Sequence, residues 1–246
     1  MRTILFTAVL AGLVGAVCAG FDPRPVPAQD EPKQETRPKK TPTAERFDKL
    51  VREDIFAGFG GDEAAMIRGM AKCDAALADD PKHAEALVWR GAVRVFQASQ
   101  FFAKKQMITG MTLWSKGLQD MDDAVVIAPQ NAGVRIPRAA VLLPAARSTP
   151  KVMSQPLLDR ALDDYLTIAK LQASHLDKLG THPLGELRMG LADIYRLRGE
   201  MAKSKEQLQL LEKQLPDTEY ASRAQTWLAA KPDEKLVHNC IGCHGQ

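Results

Sequence analysis

From residue 47 to residue 230, apolar side chains return at steps of three and four, the spacing that gathers them on one face of an α-helix. Met66, Met70, Cys73, Ala76 and Leu77 make one such stripe, and Leu87, Gly91, Val95 and Ala98 make another. No window keeps the strict apolar and polar alternation of a strand, so the body is predicted to be helical throughout. Ala, Leu, Met and Gln are frequent and aromatic residues are only 6% of the chain, which favours helix over sheet. Phe59-Gly60-Gly61-Asp62 reads as a turn in which Asp62 caps the next helix, and His182-Pro183 starts another.

The flanks of this body differ from it. In residues 20–46, Pro23, Pro25, Pro27, Pro32, Pro38 and Pro42 alternate with charges and almost no aliphatic side chains. Such a segment cannot bury enough apolar area to offset its ordering entropy, so a disordered Pro-rich leader is expected there. Ahead of it, Arg2 gives a short positive start, residues 4–17 are apolar, and Val17-Cys18-Ala19 has the small residues of a cleavage site. Residues 1–19 are therefore expected to be a signal peptide cleaved after Ala19. An uncleaved anchor fits less well because the apolar run is short for a membrane span. Gly15 and Val17 speak against a lipoprotein signal read through Cys18.

The helical body repeats itself. The run from Ala71 to Leu77 leads through Asp80-Pro81 into Leu87-Val88-Trp89-Arg90-Gly91. Gly117, Ala124 and Pro129 restate the spacing of Gly69, Ala76 and Pro81, and a more degenerate copy occupies residues 157–171. The fourth copy, Leu191-Ala192-Asp193-Ile194-Tyr195-Arg196-Leu197-Arg198-Gly199, is followed by Leu208, Leu211 and Pro216. This series resembles the tetratricopeptide-repeat family across about three-quarters of the chain. The resemblance implies an all-α, antiparallel helix-pair solenoid over residues 47–230, in which small residues at Gly91 and Ala192 let paired helices approach closely. It also implies a repeat surface that binds a protein or peptide partner.

Two stretches depart from that pattern. Residues 96–114 include Phe101, Phe102, Met107, Met111 and Trp114 and are too long for a family turn; longer helices are the first expectation, a cap or a partner-binding face the others. Around Ser148-Thr149-Pro150 and Gln155-Pro156 a helix break and a longer turn are expected. Residues 218–230, with Tyr220, Ala224, Trp227 and Leu228, are expected to form a capping helix that Pro232 ends.

Charge narrows the class of partner. The chain has 33 basic and 30 acidic residues, for a net +3, dispersed with no basic stripe for a phosphate backbone. Nucleic acid is thereby disfavoured. Asp79 with Asp80, Asp122 with Asp123 and Asp163 with Asp164 recur near helix ends or on faces expected to be solvated, and no catalytic constellation or phosphate-binding glycine loop is present.

The specific chemistry is at residues 231–246, where Cys240-Ile241-Gly242-Cys243-His244 is a Cys-x-x-Cys-His run, the attachment signature of c-type haem. Cys240 and Cys243 are the expected thioether holders of one haem, and His244 the proximal iron ligand. The likeness to cytochrome c is confined to this motif, because only Gly245 and Gln246 follow His244 where that family continues into an enclosing helical domain. A sixth ligand is then expected from upstream (His83, His175, His182 or Met189), from another chain or from solvent. His238 is too constrained to reach across the porphyrin, whereas Trp227 is near enough in sequence to cover one haem face.

Competing readings are a Cys240–Cys243 disulfide, which an oxidising compartment permits, and zinc held by His238, Cys240, Cys243 and His244. Zinc is the weaker, since adjacent Cys243 and His244 make tetrahedral closure awkward. A thioredoxin-like dithiol would need a βαβ pattern that is not seen, and Cys73, on an apolar helical stripe, is expected buried and inert. The chain is thus expected to be exported, to the bacterial periplasm, with no membrane span after signal cleavage. Its expected role is a non-enzymatic scaffold that binds protein partners, a redox partner among them, and carries one covalent haem c. The alternative is a peptide-binding module without haem.

Overall fold

The computed structural model describes residues 46–231 together with Glu234 and Leu236, all within the unit Ala44–Gln246. The expected signal peptide, nearly all of the leader and the Cys-x-x-Cys-His run lie outside the described residues. Among the described residues the protein is all-α, with α1 (Phe47–Phe59), α2 (Glu63–Asp79), α3 (Ala84–Ala103), α4 (Met107–Ile127) and α5 (Ala132–Ser148). They are followed by α6 (Lys151–Gln172), a 3-10 turn (Ala173–Lys178), α7 (Thr181–Leu197), α8 (Met201–Gln214) and α9 (Glu219–Ala229).

Local chemistry sets several of these starts. Asp62 accepts from the Ala65 N–H at 2.9 Å ahead of α2, and Asn131 accepts from the Gly133 N–H at 2.7 Å ahead of α5. His83 does the same work for α3, its Nδ1 accepting from the Ala86 N–H at 3.1 Å. Thr218 caps α9, which runs over nearly the whole stretch expected to form the final helix.

Packing follows the chain in pairs. α1 packs on α2, α3 on α4, α5 on α6 and α7 on α8, and α9 lies against α8. The odd-numbered helices also touch in series, from α1 to α3, α5, α7 and α9. One core runs through α1 to α7, with Val51, Ile55, Val88, Met121, Leu142, Ala161 and Ile194 in its interior. A smaller core joins α7, α8 and α9 through Met189, Ala192, Leu208, Leu211, Ala224 and Trp227.

The close approaches expected at small residues are present. A methyl group on Gly91 would meet the Gly117 carbonyl oxygen at 2.7 Å, which places α3 backbone against α4 backbone. Ser204 Oγ donates to the Ala192 carbonyl at 2.8 Å, tying α8 to α7 inside the second core. The long apolar insert at residues 96–114 extends both α3 and α4, as periodicity indicated.

Two expectations are corrected. The stretch around Pro150 and Pro156 does not form a longer turn: only Thr149 and Pro150 separate α5 from α6, and Pro156 lies inside α6. Pro150 fits the helix start with φ of −56°, and packing of Leu157 and Leu158 into the core holds α6 together across Pro156. Trp227 is not a free face beside the tail, because it is only 4% exposed and occupied within the second core.

Candidate functional site

Cys240, Cys243, His244 and His238 lie outside the described residues. The chain leading to them is anchored at its beginning. Arg196, at the C-terminal end of α7, donates to the carbonyls of Lys231 and Glu234, and Leu236 packs on the second core. Cys240 follows Leu236 by four residues, a reach of at most about 14 Å.

The upstream residues considered as sixth ligands are scattered. Met189 is fully buried among Ala192, Leu208 and Trp227, which removes its sulfur from any surface group. His83 is engaged as the α3 cap and its ring lies 4.6 Å from that of Phe47. His175 is in the 3-10 turn beside Ser174, and His182 is at the start of α7, bonded to Tyr220. Among the described residues no group of three or more His, Cys, Asp or Glu side chains is arranged to hold a metal ion. Cys73 is buried at zero exposure, and burial pushes its thiol up to about 12, as an inert core cysteine requires.

Sequence reasoning missed a cavity of about 280 Å³ walled by α1, α3, α5, α6 and α7. Phe56, Phe59, Trp89 and Tyr165 give it aromatic walls, with Ile136, Ile168 and Leu187 adding aliphatic ones. Phe56 and Trp89 meet edge to face at 5.8 Å. Along one side, Pro137 and Pro144 bring no N–H to the carbonyls of Gly133 and Ala140, both cavity residues. Trp89 Nε1 is buried without a hydrogen-bond acceptor.

Polar groups stand among the cavity residues. Asp48 accepts from Arg46 at 2.8 and 2.9 Å and lies 3.8 Å from Arg52. The Tyr220 hydroxyl donates to Glu186 Oε1 at 2.7 Å and lies 2.9 Å from His182 Nδ1. This is a preformed apolar recess with polar groups at its margin, suited to a ligand group or a partner side chain of modest size.

The aspartates expected on solvated faces divide. Asp79, Asp80 and Asp123 are exposed, but Asp164 is fully buried and clasped by two arginines from α5. Arg138 donates to both its oxygens at 2.7 and 2.9 Å, and Arg135 to Oδ1 at 2.8 Å. Burial pushes the Asp164 carboxyl up, and the two guanidiniums pull it back. Arg138 also reaches Asp122 at 2.9 Å, and Arg135 reaches Asp163. Asp120 of α4 is held in the same way by Arg90 at 2.9 and 3.0 Å and by Arg94. These groups fasten α3 to α4 and α5 to α6, so their role is structural.

No helix among the described residues is long and apolar enough to cross a membrane. Compared with protein-family models, curated proteins and solved structures, the chain matches none.

Proposed function

We propose that this chain is an exported, tetratricopeptide-like helical scaffold that binds protein or peptide partners and carries one covalent haem c on Cys240 and Cys243, with His244 as an iron ligand. The observation that carries the reading is the Cys240-Ile241-Gly242-Cys243-His244 run itself. Its donor set fits the group: two thiols three positions apart offer thioether attachment, and the neighbouring imidazole offers a nitrogen ligand. Haem bound there supplies one-electron exchange at iron, which suits electron transfer or a haem-dependent accessory role. The apolar run at residues 4–17, behind Arg2, supports export, where such attachment takes place.

Support for the solenoid reading comes from the order of packing, each odd helix on its successor and on the next odd helix. The Gly91–Gly117 crossing and the Ala192–Ser204 bond stand where the repeat pattern places small residues. A partner's apolar side chain would enter the aromatic cavity between α1, α3, α5 and α7, with Asp48 and Glu186 at its margin. Lys231 and Glu234 are held by Arg196 of α7 and Leu236 packs on the second core, four residues ahead of Cys240.

Production with a haem-ligation system tests this. The exported protein should give a c-type pyridine haemochrome whose colour survives acid-acetone extraction. A colourless, correctly exported product would instead favour the haem-free peptide-binding module with a Cys240–Cys243 disulfide.

A further inference from the structure

Between Glu85 and Asp120 the chain contains no acidic residue, while Arg90, Arg94, Lys104, Lys105 and Lys116 fall inside that interval. The two arginines are bonded to Asp120. The three lysines are exposed, and among the described residues none of them is ion-paired with a carboxylate. Glu63 and Lys104 line one recess between α2 and α3. Lys104 and Lys105 form the turn between α3 and α4, where Lys105 has a φ of 59°.

The same end of the hairpin is apolar and open. Phe59, the last residue of α1, has its ring 4.7 Å from that of Phe96 in a tilted contact, and α3 continues for seven residues more (97–103), about 10 Å. Phe102 covers Gly110 and lies 6.3 Å from Trp114, giving the tip a firm aromatic base. Beyond that base Met107, Ile108 and Met111 are 56%, 87% and 46% exposed. At positions i, i+1 and i+4 they share one side of the first turns of α4. A contiguous apolar patch of this kind marks an interaction surface, whereas single exposed residues do not.

Charge selects the occupant. A second copy would set lysines against lysines. An apolar patch beside two exposed lysines suits a surface that is negative outside and apolar within, as an anionic phospholipid layer is. We propose that the α3/α4 hairpin tip is a peripheral docking site for anionic phospholipid: Met107, Ile108 and Met111 sink among the headgroups while Lys104 and Lys105 meet their phosphates. This site is separate from the haem motif and does not depend on it.

Co-sedimentation of the mature chain with vesicles tests the proposal. Vesicles of equal parts phosphatidylglycerol and phosphatidylcholine should retain the protein at low salt and release it at high salt, and phosphatidylcholine alone should not retain it. The double change Lys104→Gln with Lys105→Gln should weaken binding roughly thirtyfold, at about fivefold per lysine. Ile108→Asp should abolish it while leaving the circular dichroism spectrum unchanged, since Ile108 lies outside the core. Equal binding to both vesicle types, no binding at all, or tip variants that bind like the parent would each overturn the proposal; absence of vesicle binding would leave an acidic protein as the occupant to seek.

Discussion

Gly91 and Gly117 stand backbone to backbone where α3 crosses α4. A β-carbon on Gly91 would come 2.7 Å from the Gly117 carbonyl oxygen, and one on Gly117 would come 2.8 Å from the Gly91 carbonyl oxygen. In an open helix Gly→Ala stabilises, by about 0.4–1 kcal/mol. Here the sign reverses. Gly91→Ala and Gly117→Ala are each expected to destabilise by about 1–3 kcal/mol through forced separation of the helices. Thermal unfolding followed at the helical band measures it, and a raised midpoint for either variant would refute this crossing.

Asp164 is expected to be among the most sensitive polar positions. Asp164→Ala leaves the Arg135 and Arg138 guanidiniums buried beside a lost counter-charge, at a cost of about 3–5 kcal/mol. Asp163→Asn, at a side chain 62% exposed, is expected to change stability by less than about 1 kcal/mol. Urea unfolding of the two variants separates them, and comparable losses would remove the special standing of Asp164.

Acid should loosen the first helix pair in a defined window. Lys72, donating at 2.6 Å, and Arg68 hold the Asp54 carboxyl below the usual carboxylate range. Its unfolded counterpart, near about 3.9, takes up a proton first as pH falls. The Asp54 contribution is therefore complete above that value and is lost as pH drops through the lower folded value. Asp54→Asn should lower the unfolding midpoint at pH 7 and converge with the parent once pH falls below the folded value. A constant offset across that range would contradict the assignment.

Cys73 should behave as a core side chain. With zero exposure and its thiol pushed up to about 12 by burial, it is expected to resist an aromatic disulfide reagent at pH 8 in the folded protein and to react at once in denaturant. Rapid reaction of the folded chain at this residue, located by peptide mapping, would count against the first core.

The helical body was legible because apolar residues return at a 3.6-residue period, and the start of α2 because Asp62 stands directly before such a stripe. Small residues disclosed the α3 and α4 crossing as well. What escaped depends on partners distant in the chain. Asp164 reads as solvated until Arg138, 26 residues earlier, is folded against it. A usable signal was there: Arg90 with Arg94, and Arg135 with Arg138, interrupt otherwise apolar helix faces about one repeat before Asp120 and Asp164. The cavity draws walls from α1, α3, α5, α6 and α7, so no local window contains it. Pro156 misled because a proline in a second helical turn removes one hydrogen bond, which tertiary packing of Leu157 and Leu158 outweighs.

The central claim is that Cys240 and Cys243 hold haem while the helical body folds without their help. Intact mass and circular dichroism of the purified chain, made with a haem-ligation system, test both halves together. The parent should carry the mass of one haem through denaturation, and the variant with Cys240→Ala and Cys243→Ala should carry none, with helicity nearly unchanged. A parent chain at its bare polypeptide mass, less the two hydrogens of a Cys240–Cys243 disulfide, would contradict the claim.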